Sequence, residues 1–270
     1  RNGANLLESH VFQFDFLNDG FEKLPAELRA IVEDPERRRK LVVYMNPPYA
    51  EAGNAHLPAG SSEGNKTGVS NNSRVWEKHR ESLGLGIREL YVQFLMRIQD
   101  EIPGCWIGEF SKLKTLQSTA FSAFRQHFHA ELETIFLMPS KTFDNVKGEF
   151  PIGFKVWHLT ANAFPFTSIA ATVYDEKGNC TGTKTLRPED DAPRISSWIR
   201  RFLAPSPTQP IGYTGNYGPD FQHNHYLRLH STKRLNRNGT LDNSTKYPIG
   251  TPQLLPICIY FAVRLCIAPT

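Results

Sequence analysis

The residues with the clearest chemical purpose are Asn46-Pro47-Pro48-Tyr49, which follow the apolar run Leu41-Val42-Val43-Tyr44-Met45. Proline has no N–H, and two in succession hold the backbone extended, so their carbonyls are left to accept hydrogen bonds from a substrate. The side-chain oxygen of Asn46 is a second acceptor nearby. Two acceptors aimed at one point suit a planar amino group with two N–H donors, and Tyr49 adds a flat face on which a base can stack. In open α/β sheets ligands bind outside the carboxyl ends of the strands, so a motif that opens a loop directly after a strand stands in the right place for a site. A bare Pro-Pro-Tyr also reads as a loop or a proline-rich ligand; the strand ahead of it favours the site.

The elements that must position this motif follow from periodicity. Residues 11–17, Val-Phe-Gln-Phe-Asp-Phe-Leu, alternate and predict a strand ending near Asn18-Asp19-Gly20. Leu24, Leu28 and Ile31 share one face of a short helix broken before Pro35. Residues 40–45 then read as a strand buried on both faces of a parallel sheet, completing a βαβ unit and an α/β class. Residues 51–74, rich in Gly, Asn and Ser, read as a long loop. Ile87, Leu90, Tyr91, Phe94, Leu95 and Ile98 recur at helical spacing, Cys105 to Phe110 reads as a strand, and Ser118 caps a helix whose stripe is Phe121, Phe124, Phe128 and Leu132. Strands are predicted at 134–138, 154–159 and 169–174, the last turning through Asp175 to Gly178 into a hairpin. The α/β alternation gives way there to antiparallel strands. A Pro-rich shift at 203–210 predicts a boundary near 205, with residues 1–204 forming one domain and 205–270 the start of a second.

Composition bounds the classes. The chain has 270 residues, 40% hydrophobic and 21% charged, with a net charge of +4, which excludes a collagen, a coiled coil or a largely disordered chain. The longest apolar run, 254–268, contains Pro256 and Arg264 and falls short of a membrane span. No secretory leader is visible, and the cysteines at 105, 180, 258 and 266 form no Cys-x-x-Cys pair, so a reducing cytoplasm is expected and neither zinc site nor disulfide framework. His223, His225 and His230 alternate, but without a carboxylate or cysteine at suitable spacing they read as solvated or base-contacting, and no metal is expected. The basic run 37–40, among acidic neighbours, reads as a solvated loop.

With these residues in view, the sequence resembles the S-adenosylmethionine-dependent amino-group methyltransferases, in which Asn-Pro-Pro-Tyr follows the fourth strand, and most closely the N6-adenine DNA methyltransferases of bacterial restriction-modification type. Phe14-Asp15-Phe16-Leu17 lies one βα unit upstream, where that family has a carboxylate accepting from the cofactor adenine amino group and an apolar residue packing on its ring. Phe110-Ser111-Lys112-Leu113-Lys114 and the segment 140–154 add to the likeness, which covers most of 11–160 and is only suggestive after 205. The resemblance implies a partial Rossmann-like methyltransferase sheet with an antiparallel C-terminal edge, followed by the start of a target-recognition domain. It implies S-adenosylmethionine as cofactor, held by Asp15 and Phe16. Asn46 and the Pro47 carbonyl would accept the two hydrogens of adenine N6, Pro48 would stiffen the loop, and Tyr49 would stack on an adenine rotated out of double-stranded DNA. Phe150 or Phe154 would close the pocket, and Lys112 and Lys114 would touch backbone phosphate. A nuclease or specificity subunit, fused or separate, is the implied partner.

The family's Phe-x-Gly-x-Gly loop has no counterpart ahead of Asp15; Gly84-Leu85-Gly86 and the segment 211–218 read as structural. The chain by itself is therefore expected to bind the cofactor weakly and to be inactive, and Arg1 and the Pro269-Thr270 end are expected to be cuts through a longer protein. Two other readings stay open: amino methylation of RNA or of a protein glutamine, and a nucleic-acid-binding fragment without catalysis.

Overall fold

The computed structural model describes residues 11–47, 71–143, 150–189, 195–203, 207–214, Ser231 and 247–266. The chain divides into two compact units, Arg1–Asp190 and Asp191–Thr270, which part ahead of the Pro-rich stretch.

In the first unit, α1 (Ala26–Glu33) stops at Asp34, because a residue before proline is pushed out of the helical region. Asp34 caps the next turn, α2 (Pro35–Arg38), accepting from the backbone N–H of Glu36 at 2.9 Å and of Arg37 at 3.3 Å, with Pro35 at the first helical position. The basic run thus begins in a helix rather than a loop. β1 (Val42–Met45) follows, then α3 (Arg74–Leu83), a 3-10 turn at Gly84–Arg88 and α4 (Leu90–Glu101), leading to β2 (Trp106–Lys112). α3 has no expectation behind it. Only Val75, His79 and Leu83 are buried along it, too few among charged neighbours to raise a periodic signal. Ser73 starts it, accepting from Trp76 N–H at 2.9 Å while donating to Gln93 at 2.7 Å, and Gly84 ends it at a φ of +53° that a side chain would resist.

After β2 come α5 (Lys114–Gln117), a 3-10 turn at Thr119–Phe121 capped by Ser118, and α6 (Ser122–His127). Phe121, Phe124 and Phe128 are buried as the stripe predicts, whereas Leu132 belongs to the next strand. β3 (Ala130–Pro139), β4 (Pro151–Leu159), β5 (Ile169–Tyr174) and β6 (Cys180–Leu186) complete a six-stranded sheet of order β1-β2-β4-β3-β5-β6. β1 pairs parallel with β2 and β3 with β5; β4 is antiparallel to both its neighbours, and β6 to β5. The class is α/β, with the parallel unit first and antiparallel strands toward the C-terminal edge, as expected of a partial Rossmann-like sheet. The β5–β6 turn is locked by Asp175, which accepts from the N–H of Lys177 and Asn179, and Gly178 supplies a φ of +82°.

One sheet face carries the core. Ile107, Ile135, Leu137, Trp157, Leu159 and Ala171 pack with Leu95, Met96 and Ile98 of α4 and with Phe124 and Phe128. Full burial of such a side chain stabilises by about 1.5–3 kcal/mol. The expectation for residues 40–45 is corrected here: β1 is an edge strand among the described residues, and Val42 and Tyr44 are 63% and 67% exposed while Val43 and Met45 turn to the core. A continuous apolar run cannot distinguish a strand covered on both faces from one whose second face is an open aromatic surface.

The strand expected over 11–17 is also corrected. Arg97, 1% exposed on α4, donates to the carbonyls of Phe16 and Asp19 and pairs with Glu101 at 3.2 Å. The rings of Phe14, Phe16 and Phe21 surround its guanidinium at 5.5, 5.1 and 4.9 Å. Carbonyls that a strand would offer to a neighbour are used to satisfy a buried cation, and the segment turns instead.

The second unit contains α7 (Ile195–Leu203), a two-stranded ladder of β7 (Gly212–Thr214) and β8 (Tyr247–Ile249), and α8 (Thr251–Cys266). Ile199, Ile249, Ile257, Tyr260 and Phe261 form its core. The apolar C-terminal run is thus helical with Pro256 inside it, and Leu255, Ile259 and Val263 stay exposed. No described helix is long and apolar enough to cross a membrane.

Candidate active site

β1 delivers Asn46 and Pro47 to the carboxyl end of the sheet, with Asn46 exposed and Pro47 buried. Pro48 and Tyr49 lie outside the described residues. The last β1 residue, Met45, pairs with Glu109, so Phe110, Ser111 and Lys112 run on beside the motif. Alternation puts Asn46 on the same side as Val42 and Tyr44, the side of the aromatic surface.

That surface is continuous. The ring of Tyr44 lies 6.4 Å from Phe110 and 6.0 Å from Phe154; Phe154 lies 4.8 Å from Phe110 and 5.1 Å from Phe136; Phe143 meets Phe110 edge-on at 5.2 Å. Gly108 makes room for it, since a Cβ there would come 2.9 Å from the Phe154 ring. Phe154 is therefore fixed at the middle of the cluster. Phe150 stands at the strand end, where its N–H donates to Ser140 Oγ at 3.3 Å and its carbonyl accepts from Ser140 N–H at 2.9 Å. The Lys112 ammonium lies 5.8 Å from its ring centre. Lys114 donates to the buried Glu89 carboxylate at 2.7 Å. Lys112, Phe150 and Phe154 thus gather at or next to the end of the sheet where Asn46 emerges. Phe143, which the sequence reading passed over, belongs with them.

Asp15 is exposed and closes a turn: its Oδ1 accepts from Leu17 N–H at 3.1 Å and its Oδ2 from the Asn18 amide at 2.9 Å. Each carboxylate oxygen has a second lone pair, so the group keeps acceptor capacity for an exocyclic amino group and fits that part of S-adenosylmethionine. Phe16 is half-buried with its ring stacked on Phe94, centroids 4.9 Å apart, which commits that face to the core.

Beneath the motif lies a charged network absent from the sequence reading. Glu109 and Lys155 are both fully buried, 3.1 Å apart, on the core side of β2 and β4. Lys155 Nζ also donates to Ser111 Oγ at 2.6 Å and to the Ser111 carbonyl at 3.3 Å, and Trp157 Nε1 donates to Glu109 Oε1 at 3.3 Å. Burial pushes the Lys155 ammonium below its ordinary pKa, against the pull of the Glu109 carboxylate. The visible signal is Glu109 and Lys155, residues of opposite charge each near the middle of a strand rich in apolar residues. The register that joins them is not readable from spacing. His223, His225 and His230 lie outside the described residues.

No protein-family model matches the chain, and no curated protein does. Among solved structures it is similar to the ATP-dependent Type ISP restriction-modification enzyme LlaBIII bound to DNA, at 12% identity and a TM-score of 0.37, over 73% of this chain and 16% of that one. It is similar also to the DrdV–DNA complex, at 14% identity and a TM-score of 0.33, over 56% of this chain and 16% of that one. A third is a modification subunit of a type I restriction enzyme from Vibrio vulnificus, at 13% identity and a TM-score of 0.31, over 80% of this chain and 39% of that one. The chain spans 16% of the length of the first two.

Proposed function

We propose that this chain is the central part of an N6-adenine DNA methyltransferase of restriction-modification type, with residues after the first unit beginning a domain that reads the target sequence. The observation that carries the reading is the emergence of Asn46-Pro47 at the carboxyl end of β1, beside β2 in a parallel pair. S-adenosylmethionine would supply the methyl group, and Asp15 would hold its adenine amino group. The Asn46 side-chain oxygen and the Pro47 carbonyl would accept the two hydrogens of adenine N6. Two such bonds draw the nitrogen lone pair out of conjugation with the ring and hold positive charge as it develops on nitrogen. Both acceptors are fixed to the end of a strand, so little reorganisation accompanies the reaction. Tyr49 would stack on the flipped base, Phe150 would face it from the β3–β4 connection, and Lys112 would meet phosphate.

The test is labelled methyl transfer to DNA, RNA and protein in parallel, using the gene product that carries this sequence and its Asn46→Ala variant. Transfer to DNA is expected to fall by about 10²–10³ in kcat, the usual effect of deleting one preorganised hydrogen-bond partner. Intact transfer to DNA in Asn46→Ala, or transfer only to RNA or protein, would refute the reading.

A further inference from the structure

At the amino end of β3, away from Asn46, three metal-ligating side chains meet on the sheet surface. The ladder sets Glu131 directly opposite His158 on β4. Facing residues of an antiparallel pair hold their Cβ atoms about 4.5–5.5 Å apart. Between Leu132 and Thr134 the register shifts in a bulge that leaves Glu133 as the extra residue. A bulge bends its strand, sharpens the local twist and re-aims a side chain. One ligand atom from each of Glu131, Glu133 and His158 lies within 4.8 Å of the other two.

None of the three side chains has a hydrogen bond or ion pair with a described residue. What holds the imidazole is Trp106, whose ring stacks on it with centroids 4.3 Å apart and planes 8° from parallel. Two carboxylates that converge without a cation repel each other, and a divalent ion converts that repulsion into coordination. An imidazole nitrogen with carboxylate oxygens is a donor set for zinc and its first-row neighbours, whereas calcium and magnesium favour shells made of oxygen alone.

We propose that Glu131, Glu133 and His158 form a binding site for a divalent first-row transition ion, with Zn²⁺ the expected occupant, clipping β3 to β4. Three protein ligands leave a fourth position for water. The site is independent of the methyl-transfer reading. It departs from the sequence expectation of no metal because its ligands come from two strands that only the ladder brings together.

The test titrates chelator-stripped, reduced protein with ZnCl₂ against a chromophoric zinc indicator, with MnCl₂, CaCl₂ and MgCl₂ in parallel. One-to-one binding of Zn²⁺ is expected, weakened at least about tenfold by Glu133→Gln and by His158→Gln, surface changes whose folding circular dichroism checks. X-ray absorption should give a shell of nitrogen and oxygen at about 2.0–2.2 Å. Unchanged affinity is expected when His223, His225 and His230 are all replaced by Gln, or Cys180 and Cys258 by Ser. Four outcomes would overturn the proposal: no Zn²⁺ bound; affinity indifferent to Glu133→Gln and His158→Gln; sulfur in the shell; or Ca²⁺ or Mg²⁺ bound as tightly as Zn²⁺.

Discussion

Replacing Lys155 with methionine isolates the buried charge pair under the Asn46 motif. Methionine keeps the length and apolar stem but removes the ammonium. The Glu109 carboxylate is then left at 0% exposure with the Trp157 N–H, at 3.3 Å, as its remaining partner from the network. Removing one member of a buried pair costs about 3–5 kcal/mol, since the other charge stays in low dielectric uncompensated. That corresponds to between about a hundredfold and several thousandfold in the folding equilibrium. With a urea dependence of about 2 kcal/mol per molar, the unfolding midpoint should fall by roughly 1.5–2.5 M. Adding Glu109→Leu removes both charges, and the double variant should return to within about 1 kcal/mol of the parent or exceed it. Urea unfolding followed by circular dichroism measures all three proteins. A Lys155→Met variant as stable as the double variant would refute the pairing. The pH dependence gives a second readout. Because burial holds Lys155 below its ordinary 10.5, the unfolded chain binds more protons in the window beneath that value. The group's contribution to stability therefore rises with pH through the window and is lost as pH falls through the folded pKa; in Lys155→Met that slope should vanish.

Two further outcomes follow from titrating groups elsewhere in the first unit. Burial pushes the Asp100 carboxyl up, but hydrogen bonds with His79 and Lys78, each 2.7 Å, bring it below its ordinary 3.8. Its contribution is complete above that value and is lost as pH falls through the lowered folded pKa, so Asp100→Asn should flatten the acid limb of a stability profile taken below about pH 4; an unchanged limb would contradict this. Burial pushes the Cys105 thiol up to about 12, while Cys180 and Cys258 are exposed. Iodoacetamide at pH 8 followed by peptide mass mapping should modify Cys180 and Cys258 and spare Cys105 until the protein is unfolded, and early labelling of Cys105 would contradict its place in the core.

The elements whose signal is local were legible. The helix of Leu90 to Ile98 has an apolar stripe with helical period, the 175–178 turn has its Asp and Gly at the required positions, and the Asn46 motif stands directly behind a strand. Each depends on residues within one or two turns of chain. The alternation of 11–17 misleads because two of its three phenylalanines, Phe14 and Phe16, pack around Arg97, a residue about eighty positions away whose burial no local pattern announces. β1 was placed correctly but given the wrong surroundings, since what lies over Val42 and Tyr44 depends on the rest of the sheet.

What the sequence determined by itself was the α/β class, the order of the main strands and helices between residues 90 and 186, and the hydrogen-bond acceptors that Asn46-Pro47 carry, all consequences of side-chain period and covalent structure. Tertiary structure alone decided that Glu109 meets Lys155 and that Glu131 meets His158. The reason is register: the side-chain period of a strand is two, so sliding one strand by a single residue would move every one of these charges to the opposite face, and only the packing of the whole sheet selects one register.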